Sequence, residues 1–366
     1  MKERLRSHLK ELTSLISVSG EEMEVIRYMK EKLEPLADEV KVMNNGNLIA
    51  IKKGNKEGHR VMLSAHSDEV GLVVKAIMPN GFILFEKSGG LPDKALPGRK
   101  IHLRCQDKRI NGIIGIRAAH METPATSGTV QTTKESYIDV GATSKEEVEA
   151  MGITVGTRGV MQSDFMEMEN TDFISTRAVD NRINCAIMIE LFEYIKDKKF
   201  AGELYGVISV QEEVTIAGVT GAAHYINPDY AITLDTVPAG DVPDINLLTE
   251  LPISLGKGPG LSIVEGVNKL FKYAAIHPKL KDFIMDKARE EGINVQPLVM
   301  SEFGYSTDST ALVNAGDGIP VATLSTPRRY THSPVEMMNL NDAVGALTVL
   351  KKVILENEHV DLSFIS

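Results

Sequence analysis

Cysteine is nearly missing from this chain: only Cys105 and Cys185 occur in 366 residues. They lie far apart, each within ordinary strand- or helix-type sequence, which excludes a disulfide scaffold and a thiolate zinc site. Any bound metal must therefore use histidine and carboxylates. Positive charge is also scarce: 40 Lys and Arg stand against 50 Asp and Glu, a formal net charge of −10. That balance argues against a nucleic-acid partner, which would require a basic surface for phosphates. No run approaches the ~18 apolar residues that a membrane span requires, so no membrane partner is expected and the expected location is cytoplasmic. The opening MKERLRSHLKELTSLI spreads charges through apolar positions at helical spacing, the pattern of an amphipathic helix and not of a signal peptide. Internal repeats and low-complexity tracts are absent.

What remains is ordinary soluble globular composition, 43% hydrophobic and 25% charged with 30 Gly and 15 Pro. The length exceeds the usual size of one core and predicts a large domain with a smaller one. Helices are expected at 1–17 and, with Ser19 as N-cap, at 21–36. The runs EVKVM, NLIAIKK and RVMLSA then read as strands. From 72 to 164 the pattern changes to short β-type runs (LVVKAIM, FILFEK, KIHLR, INGIIGIR, YIDVG, RGVMQ) separated by Gly, Pro and Asn turns, with one short helix, SKEEVEAM. After 165, helices and apolar strands alternate: NRINCAIMIELFEYIKD, LYGVISVQ, GAAHYI, YAITLD, a helix near 279–292, INVQPLVM, VATLS and a closing helix at 341–357. The prediction is an α/β protein. Residues 1–71 and 165–366 form a discontinuous domain with helices on both faces of a mixed sheet, and 72–164 form an inserted small β-barrel-like domain.

The stretch LSAHSDEVG, at the predicted junction of the two domains, puts His66, Asp68 and Glu69 just past an apolar run. Such groups need partners if buried. Alone, the stretch fits a solvated turn as well as a pocket. Four further segments put acids or histidine at strand ends or helix heads: TRAVDNRIN with Asp180, VISVQEEVT with Glu212 and Glu213, AITLDTVP with Asp235, and RRYTHSPVE with His332. A lone acid there is usually a turn residue or an N-cap. Together, along one sheet edge, they would repel one another unless a cation sat among them. Two histidines and several carboxylates suit a divalent ion such as zinc, cobalt or manganese. Glycoside hydrolysis needs two carboxylates on opposite sides of one bond, ~5–10 Å apart. Glu212 and Glu213, adjacent on an extended chain, project to opposite faces and suit metal-assisted hydrolysis better, one as ligand and one reaching the attacking water.

The ordered run AHSDEVG, RAVDNR, VQEEV, LDTVP and THSP resembles the tetrahedral aminopeptidases, the forty-second metallopeptidase family; SVSGEE, NNGNLIA, LPGRK, YIDVGA, LGKGPG and STDS support the likeness. The resemblance implies two divalent ions per subunit bridged by Asp180, one completed by His66 and Asp235 and the other by Glu213 and His332. It implies Glu212 as general base, and Asp68, two residues along from His66, as the group fixing that imidazole's tautomer. It further implies short peptides with a free N-terminus as substrate, and dimers assembling into a homo-dodecamer with the inserted domain contributing contacts. Three positions depart from the family pattern: Asn181 replaces a second acid after the bridging aspartate, where a cis peptide is expected; Ser306 replaces a glycine before Thr307 and Asp308; and GITVGTRGV lacks an acid. LGKGPGLS lacks phosphate-loop spacing and reads as a turn. His120 reads equally as a pocket or a surface residue, and His8, His59, His102, His224, His277 and His359 as structural or solvated. A deacylase with the same ion pair and a catalytically silent assembly protein are the competing readings.

Overall fold

A computed structural model describes residues 1–106, 108–124, 127–267, 272–300 and 305–365. In chain order the first part holds α1 (Lys2–Ser14), α2 (Met23–Leu33), β1 (Glu39–Val42), β2 (Leu48–Lys53) and β3 (Lys56–His66). Six strands follow: β4 (Gly71–Ile77), β5 (Ile83–Ser88), β6 (Lys100–Cys105), β7 (Lys108–Ile114), β8 (Ile138–Asp139) and β9 (Arg158–Met161), with α3 (Lys145–Ala150) before the last. The remainder contains β10 (Met166–Glu167), β11 (Phe173–Thr176), α4 (Val179–Ile195), β12 (Ala201–Ser209), α5 (Glu212–Thr215), α6 (Gly218–Ile226), β13 (Tyr230–Pro238), β14 (Gly260–Val267) and β15 (Lys272–Ala275). It closes with α7 (Pro278–Glu290), β16 (Gln296–Met300), α8 (Ser309–Leu312), β17 (Val321–Arg329), β18 (Glu336–Asn339) and α9 (Leu340–Leu355).

Among the described residues the large sheet runs β1-β2-β12-β3-β13-β17-β18-β11-β10, with β14 beside β17 and carrying β15 and β16. Its centre, β12-β3-β13-β17, is parallel, and antiparallel strands flank it on both sides. The mixed sheet is therefore as expected. One face is covered by α1, α2, α4, α7 and α9 over the main core, the other by α6 and α8 over a smaller one. Helix α1 buries Leu5, Leu9 and Leu12, the i, i+4, i+7 stripe that made it legible as an amphipathic helix. Helix α4 is buried almost all round because it lies between the sheet and α1 and α9.

Strands β4-β5-β8-β7-β6-β9 close into a barrel, around Leu72, Val74, Phe85, Ile101, Leu103 and Ile138. The expected small β-barrel is thus present within residues 71–161. Strands β10, β11, β14, β15 and β18 were not anticipated. In β14 the buried Ser262 and Glu265 interrupt the apolar run, and Glu265 accepts from the hydroxyls of Thr307 and Ser309. Ser19 is not a cap: α2 starts at Met23 after Glu22, and the Ser19 hydroxyl donates to Asp68.

Candidate metal-binding active site

Parallel register brings the candidate residues together. His66 ends β3 level with Ser209 of β12. Thr233 of β13 is level with Ser64, which sets Asp235 beside His66, and Asp235 is level with Ser325 of β17. Near three of the other candidates the chain turns sharply: Ala178 before Asp180, Gln211 before Glu212, and His332 itself have left-handed φ of 54°, 59° and 56°. Such backbone is costly for residues other than glycine and is tolerated where the surroundings hold it. Gln211 ends the extended chain, so Glu212 and Glu213 start the one-turn helix α5; they are not strand neighbours facing opposite ways as the sequence suggested.

His66 Nε2 lies 3.2 Å from Asp180 Oδ1 and 3.6 Å from Asp235 Oδ1. His332 Nε2 lies 3.4 Å from Asp180 Oδ2 and 3.3 Å from Glu213 Oε2. The two oxygens of one carboxylate thus face two different imidazoles. Glu212 Oε2 is 3.9 Å from His66 Nε2. His66, Asp180 and Glu213 each offer a ligand atom within 4.8 Å of the other two. Beside them lies a cavity of about 600 Å³, walled by Pro238, Ile245, Leu251, Met300 and Tyr305.

Asp68 sits beyond the end of β3, not on it. Its carboxylate is 3.5 Å from His66 Nδ1, accepts from Ser19 Oγ at 2.6 Å, and accepts the amides of Glu212 at 3.0 Å and Glu213 at 3.2 Å. The main-chain carbonyl of Asp68 is nearer still to His66 Nδ1, at 3.2 Å, so one residue faces the imidazole with both its carbonyl and its carboxylate while its side chain holds the first turn of α5. Glu69 serves the fold: Arg177 and Arg182 both pair with it.

Burial and neighbouring charges set the electrostatics of the cluster. Burial raises the Glu212 carboxyl well above its usual range; His66 opposes this, and Asp235 and Glu213 add to it. Glu213 and Asp235 are also raised, chiefly by burial. Asp180 is held well below the usual range because Arg328, His332 and His66 outweigh its burial. Burial would depress both imidazolium groups, but the surrounding carboxylates outweigh it and hold both pKa values high. Asp308, donated to by Ser209 Oγ at 2.7 Å, is pushed up to about 7 by burial. Glu213 Oε1 is buried without a hydrogen-bond partner among the described residues. Buried oxygen and imidazole donors with an orphaned carboxylate oxygen are a donor set suited to divalent cations.

A family model, M42 glutamyl aminopeptidase, matches residues 46–349. The chain belongs to the M42 family. The lysyl aminopeptidase of Pyrococcus furiosus is 30% identical over 97% of this M42 chain and 98% of its own length. The solved aminopeptidase from Desulfurococcus kamchatkensis superposes with a TM-score of 0.91 at 33% identity, covering 97% of this chain and 95% of that one. A Pyrococcus horikoshii peptidase, described as assembling into a tetrahedron or a large octahedral shell, gives 0.84 at 28% identity, covering 96% and 99%. Sequence resemblance, family model and relatives agree on a hydrolase of the aminopeptidase type.

The peptide bond Asp180-Asn181 is cis, as expected. Asn181 has a structural use that an ionised acid could not fill: its Nδ2 donates to the carbonyl of Leu234 at 2.8 Å. Ser306 lines the cavity, whereas His120 is exposed on the turn Ala119–Met121 and is not among the lining residues. The glycines of LGKGPG form a turn whose amides at Gly256 and Gly258 donate to Asp342, each at 2.7 Å. Sequence reasoning missed Arg328, which pairs with Asp180. It also missed Glu336, which accepts the amides of Asp180 at 3.1 Å and His332 at 2.8 Å. The available signal was proximity: both flank His332 in RRYTHSPVE.

Proposed function

We propose that this M42 protein is a metal-dependent aminopeptidase that removes N-terminal residues from short peptides at a dinuclear centre. Asp180 would bridge two divalent ions, zinc or cobalt before manganese, with His66 and Asp235 completing one and Glu213 and His332 the other. The observation that carries the reading is the presentation of Asp180 Oδ1 to His66 and Oδ2 to His332. The bound ions would polarise the scissile carbonyl and make water a competent nucleophile near neutral pH. Glu212, whose buried carboxyl has a strong proton affinity, takes the proton from the attacking water and returns it to the leaving amine. Asp68 holds His66 in orientation and pins the α5 amides that aim Glu212. The cavity of about 600 Å³ takes the substrate, its apolar wall excluding water from the reacting groups.

Residues 1–71 and 165–366 are read as the catalytic domain and 72–164 as an insertion that contributes to assembly. Ile116 and Met121, 65% and 67% exposed near the barrel, suit burial between subunits, and the assembly of the P. horikoshii relative into a tetrahedron or a large octahedral shell supports our reading that dimers of this chain build a dodecamer. Among the described residues no helix is long and apolar enough to cross a membrane, and a cytoplasmic location is part of this proposal. The test is elemental analysis of purified protein together with aminoacyl-anilides and N-acyl amino acids as substrates. Turnover of the anilides with bound divalent metal is expected; exclusive turnover of the acylated compounds would establish the deacylase reading instead.

A further inference from the structure

Arg328 lies on β17 opposite Pro238 of β13 and Met338 of β18, so its backbone is fixed by ladders on both sides. Its side chain is 4% exposed, yet it lines the substrate cavity. Nη2 donates to Asp180 Oδ2, the oxygen that faces His332; Asp180 Oδ1, which faces His66, receives nothing from the guanidinium. Nε stands 3.5 Å from Glu336 Oε1, and neither Nε nor Nη1 has a hydrogen-bond partner among the described residues. A guanidinium keeps its charge at any working pH. It therefore brings a permanent positive charge to one half of a carboxylate whose other half meets only the His66 imidazole among the described residues.

We propose that Arg328 is a resident cation that makes the two ion positions unequal: the ion among His66, Asp235 and Asp180 binds first, and the ion among Glu213, His332 and Asp180 binds more weakly because it shares Asp180 with the guanidinium. The inference rests on the two-ion reading above. Like charges a few ångströms apart in a buried site interact strongly, and the side nearer the guanidinium bears more of that repulsion. An ordinary structural ion pair makes the opposite prediction, since removing it would loosen Asp180 and weaken both ions together.

The experiment is a Zn²⁺ titration of the metal-stripped full-length protein, read by calorimetry against a competing chelator and by elemental analysis after dialysis, with no activity measurement. The unsubstituted protein is expected to bind two ions in steps separated by at least about tenfold. In Arg328→Met the second step is expected to tighten by about tenfold or more, with the first moving by less than about threefold. Arg328→Lys, which retains charge, is expected to keep the steps apart. If Met at 328 impairs folding, Arg328→Gln removes the charge while keeping a donor for Asp180 and carries the same expectation. Two equal steps in the unsubstituted protein, or a second step that weakens or stays put without the charge, would overturn the inference and leave the two-ion reading standing. Failure to bind more than one ion, in both the unsubstituted protein and Arg328→Met, would overturn that reading itself.

Discussion

Within the barrel of residues 71–161, the buried side chains are Leu, Val, Ile, Phe, Met and Cys105 with a few hydroxyls, and no charged residue is buried among those described. At the carboxyl edge of the parallel strands, Asp68, Asp180, Glu212, Asp235, Asp308 and Glu336 are all at most 8% exposed. Both sets of side chains are buried, but only the barrel gains stability by it. Burying a charge without a matching partner is unfavourable, and the sheet edge tolerates it because the apolar cores on both faces hold the strands in register whatever lies at their ends. Stability and chemistry are thus separated in space. Substitutions in the barrel should act on folding, and substitutions at the sheet edge on turnover.

The largest break in that comparison is removal of metal. Dialysis against a chelator is expected to abolish hydrolysis of aminoacyl-anilides, and added Zn²⁺, Co²⁺ or Mn²⁺ to restore it, while the far-ultraviolet dichroism stays unchanged; full activity of metal-free protein would end the dinuclear reading. Next is Glu212→Gln, for which loss of the base lowers kcat by about 10²–10⁴-fold with metal content preserved. An unaltered kcat in that variant would remove Glu212 from the mechanism. In the other direction, Leu103→Ala in the barrel core, where Leu103 is fully buried, is expected to lower unfolding stability by about 2–5 kcal/mol. Its kcat per folded molecule should be unchanged at low temperature; a kcat loss as large as the stability loss implies would show the two regions to be coupled.

The smallest expected effect sharpens the rule about buried charge. Glu190, on α4 and away from the cavity, is 2% exposed and bonded to Arg4 Nε at 2.9 Å. Burial would raise its carboxyl, but His8 and Arg4 outweigh that and hold it below the ordinary 4.5. A depressed carboxyl contributes stability above its unfolded pKa and loses it as pH falls through the folded value. Glu190→Gln should therefore be less stable at pH 7 by about 1–3 kcal/mol, with the gap to the parent narrowing below about pH 4. A gap that widens in acid would contradict the assignment, and denaturant titration at several pH values measures it.

Much of this architecture is legible in the chain because the signals are local. The stripe of Leu5, Leu9 and Leu12, the apolar run ending at His66, and the change to short turn-bounded strands after Gly71 each depend on a few neighbouring residues. Strand β14 was illegible because the buried Glu265 that breaks its apolar pattern answers to donors at Thr307 and Ser309, some 40 residues away. Asp68 was assigned to His66 alone, since nothing nearby announces that it also catches two amides at the start of α5.

By itself, then, the sequence determined which side chains stand at strand ends, their order, their lack of thiolates and the family to which that order belongs. Only the tertiary structure decided that Asp180 turns one oxygen to each histidine, that α5 begins at Glu212, and that Arg328 and Glu336 stand at the centre's other flank. The reason is physical: hydrophobic periodicity reports which face of an element is buried, whereas convergence of distant side chains depends on strand register and exit turns, which arise only when the elements pack.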